Sequence, residues 1–205
     1  MLIFSDGFRL EELAREFDLA VRERSGLFAS VANGKCSDRL RETLAETIDL
    51  AVAINSEKAR SELIVAPILL ELRRQFQESF SLFSGVEFVV DPDRGLGGVW
   101  DFLASKSPER LFVRAPVITI VEAKNDNLKN GLGQCGAEML AAQIFNQREN
   151  NDILTVYGTV TNGTVWRFLH LRDRVLEIDL SEYYIADTEK IIGILSQPWR
   201  DIKSG

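Results

Sequence analysis

The chain has 205 residues, 45% of them hydrophobic and 27% charged, enough apolar material for one folded unit with a sizeable core. Its net charge of −7 argues against a protein that holds nucleic acid by charge alone, although only a local groove has to be basic. No apolar run approaches the roughly 20 residues that span a bilayer, and the first ten residues lack a secretory pattern, so a cytoplasmic protein with no membrane partner is expected.

Residues 8–24 place Leu10, Leu13, Phe17 and Val21 at helical spacing, which predicts one amphipathic helix ended by Ser25-Gly26. Ser37 or Asp38 can cap a second helix with Leu40, Leu44, Ile48 and Ala51 along its apolar stripe. Asn55-Ser56-Glu57 interrupts that run and offers a new cap. The third helix carries Glu62, Ile64, Val65, Ile68, Leu69 and Leu72, and Pro67 should kink it. Residues 1–55 therefore read as a helical N-terminal extension, and residues 56–205 as the main unit.

Strands follow. Residues 86–90 and 97–103 are β-like and flank turn chemistry at Asp91-Pro92-Asp93-Arg94-Gly95. A polar loop over 105–116 leads to Val117–Ala123, the most β-like segment of the chain. A turn over 125–131 precedes a helix over 132–147. A strand over 153–161 turns at Asn162-Gly163 into a strand over 164–171, and 175–180 reads as a short edge strand. A final helix includes Ile191–Leu195. This order predicts an α/β unit with a mixed sheet.

The chemistry-bearing residues narrow the field. Cys36 and Cys135 have no paired spacing, and the single histidine, His170, excludes any site needing two. His170 itself reads as a partly exposed strand residue. Alternation along residues 117–124 puts Ile118, Ile120, Glu122 and Lys124 on one side of a strand that is otherwise apolar on both faces. Asp101, on the face of Val99 and Leu103, poses the same problem of an acid within a strand. Taken alone, Glu122-Ala123-Lys124 is an ordinary salt-bridged pair worth at most about 1 kcal/mol. If the two strands are neighbours, Asp101 and Glu122 converge, and a divalent cation would relieve their repulsion. Oxygen-only ligands suit Mg²⁺ or Mn²⁺, and Lys124 could orient an attacking water.

The order Gly98-x-x-Asp101, a long loop, then Val121-Glu122-Ala123-Lys124 resembles the bipartite core of the PD-(D/E)XK nuclease superfamily. Glu62 matches the glutamate on the preceding helix, and Gln134 matches the glutamine on the following one, with Glu138 four residues on. The resemblance covers roughly the last two-thirds of the chain and is closest to small stand-alone members. It implies a restriction-endonuclease-like αβββαβ core, with a mixed central sheet flanked by helices. It also implies a Mg²⁺- or Mn²⁺-dependent endonuclease that hydrolyses DNA phosphodiester bonds. Asp101, Glu122 and Glu62 would then be metal ligands, Lys124 would assist the water and Gln134 would support the site. Two departures stand out. Trp100, not proline, precedes Asp101, and the literal Pro92-Asp93 lies in a turn. Because the superfamily also contains catalytically silent members, a nucleic-acid or protein interaction module is the alternative. The acidic balance points to oligomerisation or a partner subunit as the source of specificity.

One rival motif, Gly131-Leu132-Gly133-Gln134-Cys135-Gly136, fits a dinucleotide loop. The next strand lacks the acid that would hold a ribose, so close packing of helix on sheet is the better reading of its glycines. Arg60, Arg73, Arg74, Lys106, Arg110, Arg114 and Lys129 could meet phosphates, Lys129 foremost.

Overall fold

In the computed structural model, which describes residues 7–124, 127–151, 153 and 155–200, helices begin where the sequence offers a side-chain oxygen as a cap. The Ser37 hydroxyl accepts the Leu40 N–H at 3.2 Å and starts α2 (Asp38–Ile54). Asn55 closes that helix in the left-handed region, and Ser56 accepts the Ala59 N–H at 3.1 Å to open α3 (Glu57–Arg60). A π turn (Ser61–Val65) then runs into α4 (Ala66–Phe76). Proline 67 explains the wide turn. It removes the N–H that the Leu63 carbonyl would accept, and that carbonyl instead lies 2.7 Å from the Thr47 hydroxyl of α2. The regular α-helix is interrupted at this point by the π turn.

The sheet has eight strands, β1 (Ala20–Arg24), β2 (Ser81–Asp91), β3 (Leu96–Ser105), β4 (Val117–Ala123), β5 (Thr155–Thr161), β6 (Val165–Arg172), β7 (Val175–Asp179) and the two-residue β8 (Tyr183–Tyr184). Their order is β1-β7-β6-β5-β4-β3-β2, with β8 pairing β6. Strands β2, β3 and β4 form an antiparallel meander. Helix α5 (Leu128–Arg148) then crosses to β5, which runs parallel to β4. Apolar residues of α1 (Leu10–Glu16) and α5 cover one face, and those of α2, the π turn, α4, α6 (Thr188–Leu195) and α7 (Gln197–Arg200) cover the other. The architecture is a mixed α/β sheet flanked by helices. Among the described residues no helix is long and apolar enough to cross a membrane.

Four expectations need correction. The single helix over 8–24 is instead α1 followed by β1. Asp18 takes a left-handed conformation (φ 51°) that breaks the helix, and Val21 reaches the core from a strand. Because β1 pairs parallel with β7, the latter is an interior strand and not an edge. Helix α5 starts at Leu128, four residues early, because Asn127 accepts the Lys129 N–H at 2.9 Å. The register also breaks between Ala104↔Thr119 and Ser105↔Val117. That bulge sends Val117 and Ile120 to the α5 face and Ile118 to the other, so Ile118 and Ile120 do not share a side.

The glycines of the rival motif lie within α5 and form no phosphate loop. A Cβ on Gly131 would come 2.6 Å from Val160, and one on Gly133 would come 1.9 Å from the Phe8 carbonyl. Alanine is the better helix former by about 1 kcal/mol. At Gly133 the clash is with backbone and dominates, so Gly133→Ala should lower stability by about 2 kcal/mol in urea denaturation. Gly136→Ala meets only the flexible ends of Leu13 and Leu176, at 2.8 and 3.2 Å, and should cost less.

Candidate active site

Glu122 sits near the end of β4 and is 1% exposed. The β3–β4 ladder holds from Phe102↔Val121 back toward the bulge, and beyond it a side chain takes over. Asp101 accepts the Ala123 N–H at 2.8 Å, where a backbone partner would otherwise be. On the other side β5 still holds the chain, with the Lys124 N–H donating to Thr161 at 2.7 Å. Asp101, Glu122 and Lys124 are thus brought together where β3 parts from β4.

A run of polar contacts crosses from β4 to α5. The Lys124 ammonium lies 2.5 Å from Glu122 Oε1 and donates to Gln134 Oε1 at 3.1 Å. Gln134 Nε2 in turn donates to Glu138 Oε1 at 3.2 Å. The remaining oxygens, Glu122 Oε2 and Glu138 Oε2, are buried without a hydrogen-bond partner. Leaving such atoms unmatched costs about 1–3 kcal/mol each, so they mark where a proton or a cation belongs.

One ammonium faces four carboxyls, Glu122, Asp101, Glu138 and, from α3, Glu57, and the electrostatics follow from that imbalance. Burial, then the charge of Asp101, pushes the Glu122 carboxyl up to about 7 against the opposing pull of Lys124. Burial also pushes Asp101 up, with the Ala123 N–H and Lys124 opposing it. Glu138 is driven well above the usual carboxylate range by burial and then by Glu122. For Lys124, burial favours the neutral amine, but Glu122, Glu57 and Asp101 outweigh it and hold the ammonium charged.

Glu62 does not join this group. It is 63% exposed on its side chain and pairs with Lys58 at 3.5 Å, although it lines a cleft of about 260 Å³ together with Asp101 and Glu57. The helix acid that acts on Glu122 and Lys124 is Glu57. Both side chains are exposed, Glu57 in the first turn of α3 and Glu62 in the π turn after it, and Glu57 reaches the pair through its charge alone. The i, i+4 relation that sets Glu138 against Gln134 was available in the sequence.

Other expectations resolve simply. His170 is partly buried and pairs with Glu177 across the β6–β7 ladder. Arg60 is engaged with the Asn162 carbonyl and Asn55, and Arg74 with Glu71, so neither is a free phosphate contact. Lys129 is exposed in the first turn of α5.

Among the described residues, no group of three or more His, Cys, Asp or Glu side chains is assembled to hold a metal ion. Two carboxylates with one unmatched buried oxygen still fit a hard cation, because Mg²⁺ is commonly held by one or two carboxylates and keeps several waters. Comparison with family models, with curated proteins and with solved structures gives no match to the chain.

Proposed function

We propose that this chain is a Mg²⁺- or Mn²⁺-dependent phosphodiesterase acting on DNA, built on the αβββαβ core of the PD-(D/E)XK nuclease superfamily. The observation that carries this reading is Glu122, a buried acid with one oxygen on Lys124 and the other unmatched, beside Asp101 on the adjacent strand. The succession α4, β2-β3-β4, α5, β5, with β5 parallel to β4, supports the same core.

Asp101 and Glu122 would hold the cation, which when bound supplies Lewis acidity toward a phosphoryl oxygen and a more acidic water. Lys124 keeps its proton and stands ready to orient the attacking water or to donate to the charge that develops on phosphorus. Gln134, tied to Glu138, fixes the direction of that ammonium. The bond of Asp101 to Ala123 fixes one of its oxygens before any ligand arrives. Specificity would come from oligomerisation or a partner subunit, as the net charge of −7 suggests.

Melting temperature with Mn²⁺ provides the direct test. At one hundred times its Kd the ion should stabilise the fold by about 2.7 kcal/mol. Glu122→Ala should lose that shift, and Lys124→Ala should keep it while cutting plasmid cleavage by roughly a hundredfold. No melt shift and no cleavage with either ion would end this reading.

A catalytically silent nuclease-fold protein is the second reading. Its favouring observation is that Lys124 already neutralises Glu122 and no metal cage is assembled among the described residues. It expects a nucleic-acid or protein partner to bind equally well with and without divalent cations.

A further inference from the structure

The two edges of the sheet are built differently. Strand β1 has five residues and exposes Arg22, Glu23 and Arg24, a short charged edge of the kind that discourages further pairing. Strand β2 has eleven residues, pairs only with β3, and exposes Ser84, Gly85, Glu87 and Val89. Beyond the β3 ladder its backbone has one further hydrogen bond among the described residues, from Arg148 to the Val90 carbonyl at 2.5 Å. A Cβ on Gly85 would meet nothing within 4 Å, so the middle of this edge is open.

The two ends of β2 complement each other. At the first, the Ser81 hydroxyl donates to the Ser107 carbonyl at 2.6 Å, and that of Ser105, its ladder partner, donates to the Arg114 carbonyl at 2.5 Å. These bonds root a loop over 106–116 that holds out Leu111, 86% exposed, and Phe112, 63% exposed. Lys106, Arg110 and Arg114 of the loop outnumber its one acid, Glu109. At the other end Val89 and, on β3, Val99 are 50% and 65% exposed, and Asp91 and Asp93 follow. Arg94 there is engaged with the Phe17 ring and the Glu16 carbonyl. Among the described residues, neither the loop's cations nor the two aspartates have an ion-pair partner.

We propose that β2 pairs antiparallel with the β2 of a second copy of this chain, about a two-fold axis at its midpoint, Val86. Ser81 of one copy then lies opposite Asp91 of the other. Each basic, apolar loop thereby meets the valines and aspartates of its neighbour. Glu87 falls opposite Gly85, so no like charges oppose each other within the ladder. A foreign strand would have to bring both complements, whereas a second copy turned by a two-fold axis supplies both at once. The interface gives a surface to the oligomerisation suggested above and does not depend on the chain cutting DNA.

The experiment follows the full chain, without metal or DNA, by sedimentation equilibrium from about 1 to about 100 µM. The parent should become dimeric within that range. In hydrogen exchange, amides within Ser84–Val89 should be protected at least roughly tenfold more at the upper concentration, with β1 unchanged. Arg110→Glu with Arg114→Glu, and separately Asp91→Lys with Asp93→Lys, set like charges together in both halves of the interface. Each pair should weaken the dimer by roughly tenfold or more, with the far-UV circular dichroism of the parent retained. Mixing the two variants should restore association to within roughly threefold of the parent, because each reversed set then meets the other. A parent that is monomeric throughout, a dimer that neither variant weakens, or a mixture no tighter than its parts would overturn the proposal. So would a parent that stays monomeric and instead binds phosphatidylserine vesicles through Leu111 and Phe112. None of these outcomes bears on the Mn²⁺ test of the nuclease reading.

Discussion

Glu122→Gln should make the protein more stable than the parent at pH 8 while leaving it little changed at pH 5. The Glu122 carboxyl titrates near 7 in the folded chain because of burial and the Asp101 charge. In the unfolded chain it titrates near 4.3, the usual glutamate value. Between those values the folded state holds the extra proton, so stability falls as pH rises through the window. The fall amounts to about 4 kcal/mol for this group alone. Asp101 and Glu138 are raised as well and add in the same direction. Glu71, Glu177 and Asp179 are lowered, so their contributions are lost only at acid pH, below the window. Urea denaturation at pH 5, 6.5 and 8 checks this, and parallel curves for parent and variant would contradict it. If Glu122 holds a cation as proposed, saturating Mn²⁺ should flatten the parent curve, because the ion would replace the proton.

Asn146→Ala should be among the most destabilising single changes in the molecule. Asn146 is fully buried on α5 and uses both ends of its amide on one residue, accepting the Val117 N–H and donating to the Val117 carbonyl, each at 2.7 Å. It serves as a strand partner at the point where the bulge at Ile118 takes Val117 out of step with β3. Alanine would strand two buried backbone groups at about 1–3 kcal/mol each, for a loss of about 4 kcal/mol by thermal or urea denaturation. Asn146→Asp keeps the acceptor but loses the donor, so it should not restore the parent midpoint.

Much of the site's frame was legible because local chemistry and tertiary structure agree there. Ser37 and Ser56 cap the helices that their spacing announced, and the third helix is interrupted by a π turn where the missing N–H of Pro67 requires it. Glu122 and Lys124 on one strand, with Asp101 on the next, are close because β3 and β4 are neighbours, the condition on which their expected convergence rested. What could not be read depended on distant partners. Residues 20–24 form a strand because β7 offers an open edge, a fact absent from their own periodicity. The side of the sheet on which Ile118 lies depends on a one-residue slip against β3. Glu57 and Glu62 are both exposed, on α3 and on the π turn after it, and only the placement of these two turns against β4 decides which of them acts on the acids.

The pairing of β1 with β7 also orders events in time. Ala20 lies opposite Val175, so every residue between them must leave the ribosome before this edge of the sheet can close. Until then the first strand waits unpaired, and once β7 emerges its outer N–H and C=O groups stand open to any extended segment nearby. Of the strand pairings in the sheet, this one joins the residues farthest apart in sequence. Crowded synthesis at high expression should expose it first, as aggregation of nascent chains and not as unfolding of finished ones.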